Sequence, residues 1–300
     1  MTQPEVRAPF GRLLTAMVTP FTPAGELDVD GAQRLAVHLV DDQRNDGLVV
    51  SGTTGESPTT SDEEKDRLLR AVVEAVGDRA RVVAGAGTND TAHTVHLAQA
   101  AEKAGADGVL LVAPYYNKPP QAGLLAHFRA AADATGLPAM LYDIPGRTGV
   151  AIATETLVAL ADHPRIVAVK DAKGDLDASA WVMARSPLAY YSGDDKVTLP
   201  LLSIGAVGVV GVPTHLVGSP TKDMIEAYAA GDPGRALALH RALLPAFTGF
   251  FRTQGVILTK AALTLAGLPG GPVRPPLVDA TEEQIATLKA DLADAGVALG

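Results

Sequence analysis

An apolar run followed by an amphipathic stretch recurs eight times along this chain. That alternation constrains the fold more than any other feature. The candidate strands are Leu13–Val18, Gly47–Val50, Arg81–Gly85, Gly108–Val112, Ala139–Tyr142, Ile166–Lys170, Ala189–Ser192 and Gly208–Val212. Helical patterns follow them near Asp30–Val40, Ser61–Val76, Thr91–Ala104, Gln121–Ala134, Thr154–Ala161, Ala178–Arg185, Val197–Ile204 and Pro220–Ala229. Continuous apolar strands joined by helices belong in a parallel sheet covered by helices. Eight such units in about 215 residues match an α/β fold of the (β/α)8 type, a closed TIM barrel. An open doubly wound sheet would want a Gly-rich dinucleotide turn after an early strand. The segment after Val40, Asp41-Asp42-Gln43-Arg44-Asn45-Asp46, is a polar turn instead.

Beyond the eighth unit the pattern changes. Asp232–Phe251, Gly255–Ala266 and Thr281–Ala295 read as helices with no strands between them, and Pro269, Pro272, Pro275 and Pro276 lie in the connection before the last. Thr281-Glu282-Glu283-Gln284 is a capping box. The expected organisation is therefore a catalytic barrel over residues 1–230 and a C-terminal helical appendage over 231–300. No linker, low-complexity tract or short solenoid repeat interrupts it.

Composition narrows the function classes. Lys plus Arg number 25 against 34 Asp plus Glu, a net charge of −9. That is not the basic footprint of a nucleic-acid binder, nor does a basic amphipathic segment suit a membrane surface. The absence of cysteine excludes disulfides, thiolate metal sites and a cysteine nucleophile, and fits a reducing cytosol. Met1–Arg12 has no apolar h-region, so no secretory signal is expected. Val197–Thr221 carries no Lys, Arg, Asp or Glu, a length that could suggest a membrane span. Pro200, Pro213 and Pro220, with four glycines among them, fit a buried helix, turn and strand better.

In a barrel of this kind reactive groups sit at the C-terminal ends of strands. The second strand runs into Ser51-Gly52-Thr53-Thr54-Gly55-Glu56-Ser57, which can offer hydroxyl and backbone N–H groups to an anion, or simply cap a turn. The fourth leads into Pro114-Tyr115-Tyr116-Asn117-Lys118-Pro119, where paired tyrosines either pack or react. The fifth leads into Tyr142-Asp143-Ile144-Pro145-Gly146-Arg147-Thr148-Gly149, offering a phenol as proton donor and a guanidinium fork for a carboxylate. The sixth ends in Val169-Lys170-Asp171. Of nine lysines, Lys170 alone ends an apolar strand; Lys65, Lys103, Lys222, Lys260 and Lys289 fall on helical patterns and Lys118, Lys173 and Lys196 in polar loops. Desolvation there would lower its pKa and leave neutral amine for attack on a carbonyl, whereas a salt bridge to a nearby carboxylate is the structural alternative. No metal or other cofactor is expected. His93 and His96 share a helix face without a third ligand and read as solvated, and Asp194-Asp195 reads as turn and capping residues.

Together, Gly-Thr-Thr-Gly-Glu-Ser, Pro-Tyr-Tyr-Asn-Lys-Pro, Tyr-Asp-Ile-Pro-Gly-Arg-Thr-Gly, Val-Lys-Asp-Ala and Ser-Gly-Asp-Asp, in this order over Leu13 to about Leu216, resemble the dihydrodipicolinate synthase family of class I pyruvate lyases. The resemblance implies a pyruvate Schiff base on Lys170, with Tyr142 as proton donor. It implies a hydroxyl relay of Thr53, Tyr142 and Tyr116, the last from a neighbouring subunit. Thr54 would bind the pyruvate carboxylate, the backbone of Val210 would face pyruvate, and Arg147 would receive the carboxylate of L-aspartate 4-semialdehyde. It also implies a homo-oligomer, a tetramer built as a dimer of dimers. Two departures stand out. Gly211-Val212-Pro213 replaces a more usual Ser-Val and non-proline residue. At the positions of the family's lysine feedback site stand Asp62, Lys65 and His93, although Asn89 and Tyr115 are retained. The alternatives are a sialic-acid lyase, a 2-keto-3-deoxy sugar-acid aldolase or a hydratase-aldolase, against which Arg147 argues for a short, carboxylate-bearing aldehyde. A catalytically silent barrel acting as ligand sensor or scaffold is the reading from another class.

Overall fold

The computed structural model describes residues 8–298; residues 1–7, part of the segment considered for a secretory leader, lie outside it. The eight strands are β1 (Leu13–Ala16), β2 (Gly47–Val50), β3 (Arg81–Gly85), β4 (Gly108–Val112), β5 (Ala139–Asp143), β6 (Ile166–Asp171), β7 (Ala189–Ser192) and β8 (Gly208–Gly211). Each pairs in parallel with the next, and β8 returns to β1, closing the barrel. The helices are α1 (Val29–Val37), α2 (Asp62–Val76), α3 (Thr91–Lys103), α4 (Gln121–Asp133), α5 (Pro145–Thr148), α6 (Thr154–Leu160), α7 (Leu176–Arg185), α8 (Thr198–Ser203), α9 (Thr214–Ala229), α10 (Pro233–Gly249), α11 (Gly255–Leu265) and α12 (Glu282–Asp294).

Alternation along the strands builds two apolar layers. Leu14, Val49, Val83, Leu110, Met140, Ala168, Tyr191 and Val210 fill the lumen. Their neighbours Leu48, Val50, Val82, Leu111, Leu141 and Val169 face outward and pack beneath the helices. Leu243, Phe247, Phe250, Leu258, Leu288 and Leu292 join α10, α11 and α12 in a third cluster.

Three local differences from the expectation have physical causes. The first helix does not run regularly to Val40; it widens into a π-turn over His38–Asp42, whose extra residue re-aims the chain toward β2. The helix after β8, α9, begins at Thr214 rather than Pro220. Val217 breaks it with φ −119° and ψ 28°, three residues ahead of Pro220, whose missing N–H and ring oppose a straight helix there. The short α5 adds an element that periodicity does not predict; Pro145 starts it and Gly149, at φ +75°, stops it. The charge-free stretch Val197–Thr221 becomes α8, β8 and the start of α9, and among the described residues no helix is long and apolar enough to cross a membrane.

Candidate active site

Strand parity brings the two central side chains together. Tyr142 follows Met140 by two residues on β5, and Lys170 follows Ala168 by two on β6, so both point into the lumen at the strand ends. The register pairs them directly, and Lys170 Nζ lies 4.3 Å from the centroid of the Tyr142 ring. Lys170 is only 4% exposed. Burial lowers its pKa to about 8; nearby Asp195 pulls it back up, and the cation Arg147 pushes it further down. The same burial raises the Tyr142 phenol to about 12, against the opposing influence of Arg147 and of a hydrogen bond with Thr53. The site thus holds a lysine that deprotonates readily beside a phenol that keeps its proton.

A cavity of about 230 Å3 opens against Tyr142 and is lined among others by Thr53, Tyr115, Ile144, Arg147 and Thr148; Lys170 adjoins it through the Tyr142 ring. Thr53 and Thr54 sit in the tight loop after β2, where the Thr19 hydroxyl donates to the Gly55 carbonyl at 2.6 Å and Glu56 N donates to the Thr53 carbonyl at 3.1 Å. Thr54 is buried and Val210 is fully buried in the lumen layer. Arg147 projects from α5 at the rim; Thr148 anchors that turn by donating to the carbonyls of Ile144 and Val150. Tyr116 is not brought in. It is 88% exposed, with φ +73°, and stands outside this chain's cavity, which Tyr115 lines instead.

The structure corrects the reading of Asp194-Asp195. Asp194 does cap, accepting from Lys196 N at 3.1 Å, but Asp195 is 1% exposed and packs against the end of β8, its Oδ2 accepting from Val212 N at 3.4 Å. Burial raises its carboxyl to about 7, and Oδ1 has no hydrogen-bond partner among the described residues. A Cβ on Gly211 would stand 2.4 Å from that oxygen, so Asp195 lies against the side of β8 where the chain departs from the family pattern. Lys173 is likewise no loop lysine in solvent. Its Nζ lies 3.4 Å from Asp143, behind the strand ends that carry Tyr142 and Lys170, and burial raises Asp143 to about 6. Asp143 and Asp171 each follow a lumen residue and so face outward, where Ile152 N and Lys173 N donate to them. Sequence reasoning missed this cluster, although the parity that placed Lys170 in the lumen also placed its neighbour behind it.

At the positions of the family's feedback site, His93 Nε2 lies 2.8 Å from Asp62 Oδ2, Lys65 Nζ donates to the Thr60 carbonyl and the Asn117 amide donates to the Asn89 carbonyl at 2.8 Å. His93, read as solvated, is therefore engaged on one side with the Asp62 carboxylate.

A closed parallel barrel that opens on a desolvated lysine and a buried phenol defines a class: α/β-barrel proteins equipped for amine chemistry on a carbonyl. More specifically, the chain belongs to the Dihydrodipicolinate synthetase family, whose model matches residues 9–295. It is 76% identical over 289 residues to a 4-hydroxy-tetrahydrodipicolinate synthase of Acidothermus cellulolyticus, covering 96% of this chain and 94% of that one. It is 66% identical to a second enzyme of that name from Streptomyces coelicolor, covering 98% of each. Among solved structures, the dihydrodipicolinate synthase of Cyanidioschyzon merolae with lysine bound matches with a TM-score of 0.95 at 44% identity, covering 97% of this chain and 100% of that one.

Proposed function

We propose that this protein condenses pyruvate with L-aspartate 4-semialdehyde to give 4-hydroxy-tetrahydrodipicolinate, through a Schiff base on Lys170. The observation that carries the proposal is the buried Lys170 amine beside the Tyr142 ring, with Arg147 lining the same cavity as Tyr142. Neutral amine attacks the pyruvate carbonyl, water leaves and an iminium forms. The iminium withdraws electrons, so the methyl group loses a proton. The resulting enamine carbon bonds to the aldehyde carbon while the aldehyde oxygen takes up a proton. Tyr142 is the donor. Thr53 and Tyr116 of the partner subunit extend the relay, and the 88% exposure of Tyr116 fits a side chain that reaches another protomer. Thr54 holds the pyruvate carboxylate, the Val210 backbone faces it and Arg147 takes the carboxylate of the aldehyde. The assembly is a homotetramer, a dimer of dimers, and the cysteine-free composition fits a reducing cytosol.

A coupled assay tests the reading by comparing aspartate semialdehyde with sugar-derived aldehydes, alongside borohydride trapping with pyruvate. Preference for aspartate semialdehyde and an adduct on Lys170 are expected. Preference for a sugar aldehyde, or equal trapping in Lys170→Ala, would overturn it.

A further inference from the structure

The loop carrying Thr53 and Thr54 is tied to a part of the chain more than 200 residues away. Glu56, 3% exposed, sits in that loop with φ +53°, a left-handed conformation that a non-glycine residue keeps only where its surroundings over-determine it. Its Oε1 lies 2.6 Å from Lys260 Nζ on α11, and both side chains are 2% exposed; the contact is an ion pair outside hydrogen-bonding angles. Its other oxygen accepts from the backbone N–H of Arg274 at 2.8 Å. Lys260 also donates to the Pro272 carbonyl at 2.8 Å. The Arg274 side chain continues along the loop, donating to the carbonyls of Thr59 and Gly25 and to both oxygens of Glu64, which closes the capping box of α2. Phe21 anchors the two cations: Lys260 Nζ lies 4.1 Å and Arg274 Cζ 4.0 Å from its ring centroid. A Cβ on Gly271 would stand 1.8 Å from the Phe21 carbonyl oxygen, so the connection between α11 and α12 passes there only as glycine. Such a buried charge pair is a poor device for raw stability, because desolvating two ions offsets their attraction; its attested use is to specify one arrangement.

From this geometry we infer that Glu56 is a positioning residue of the pyruvate site, held by Lys260 and Arg274, so that the C-terminal helical segment sets the geometry of Thr53 and Thr54. The inference rests on the reading that Thr54 receives the pyruvate carboxylate. The hydroxyls reach pyruvate only if the loop keeps its turn. Arg147 itself sits on α5 and makes none of these contacts, so loosening the clamp strikes the binding of pyruvate and leaves the hold on the aldehyde's carboxylate.

The double variant Glu56→Gln/Lys260→Met removes both buried charges and leaves neither ion alone. The expected result is a fall of roughly ten- to a hundredfold in kcat/KM for pyruvate, the size of effect that a displacement of about 1 Å produces, with the KM for aspartate semialdehyde unchanged. Should the double variant not fold, Arg274→Met, at a partly exposed side chain, frees Thr59, Gly25 and Glu64 and should show the same one-sided effect in smaller measure. A merely structural role would reduce the number of Lys170 amines that borohydride and pyruvate can trap and leave both KM values in place; that result overturns the inference. Thr54→Val in the otherwise unaltered enzyme is the control. If it leaves the KM for pyruvate unchanged, the pyruvate-site reading itself falls, and the role of the clamp with it. If it raises that KM and the clamp variants do not, only the clamp fails.

Discussion

An ordinary lysine presents fewer than about one neutral amine in a thousand at pH 7, because its pKa lies near 10.4. With its pKa lowered to about 8, Lys170 presents roughly one in ten. The ammonium form cannot attack a carbonyl, so kcat/KM for pyruvate should rise about tenfold per pH unit below pH 8 and level off above it. A pH–rate profile at limiting pyruvate checks this, and a profile flat from pH 6 to 8 would contradict it. Arg147 makes a separate prediction. Its fork offers two charge-assisted bonds to a carboxylate, each worth about 1.5–3 kcal/mol. Arg147→Ala should therefore reduce kcat/KM for aspartate semialdehyde by about a hundredfold or more, while the rate of pyruvate imine formation changes little. If both steps fall together, the side chain supports structure instead. Lys170 and Tyr142 were legible in the sequence because a lone polar side chain at the end of an apolar run is costly to desolvate unless it has chemistry to do. Arg147 was legible from the Pro- and Gly-bounded turn that follows the same run. Asp195 was not, because an Asp-Asp pair in a turn looks the same whether its second carboxylate faces water or is buried against a strand.

Strands were the most legible elements. β2, β3, β4 and β7 coincide with their apolar runs, since a strand buried on both faces carries its whole signal locally. The π-turn after α1 and the break at Val217 were not legible, because both answer to what the neighbouring helices leave room for. The break at Val217 sets up a further prediction at the start of α9. His215 is fully buried, with Nδ1 2.7 Å from the Val212 carbonyl and Nε2 accepting from Val18 N at 3.2 Å. That arrangement fixes the neutral tautomer, and burial lowers its pKa to about 4. The unfolded histidine takes up a proton near pH 6.5 and the folded one only near pH 4. Its contribution, on the order of 3 kcal/mol at most, is therefore present above pH 6.5 and lost as the pH falls toward 4. The difference in thermal midpoint between the native protein and His215→Gln should shrink over that interval; a constant difference would show that His215 does not titrate this way.

At the scale of the molecule, the exposure of Tyr116 and the proposed relay call for a partner subunit. Sedimentation at assay concentration should show a tetramer, or its dimer, and a fully active monomer would refute the assembly. Inhibition by lysine should be weak or absent. Asp62, the carboxylate that could meet an ammonium group, lies 2.8 Å from His93, and Lys65 adds a cation 3.8 Å from the same group. A ligand ammonium must displace one partner and face the other, so the half-exposed Asp62 carboxylate is already engaged and like charge stands beside it. Half-inhibition below about a millimolar, roughly 4 kcal/mol of binding, would show that the pocket still recognises lysine. The closure of β8 onto β1 has one more consequence. A ring of strands has no outermost member, so among the described residues the barrel offers no row of unpaired amides to a neighbouring chain. Association between copies through the barrel then runs over its helices and loops and adds no strand to the ring. Deuterium should enter the ladder only when the ring opens as a whole, without fraying inward from a margin.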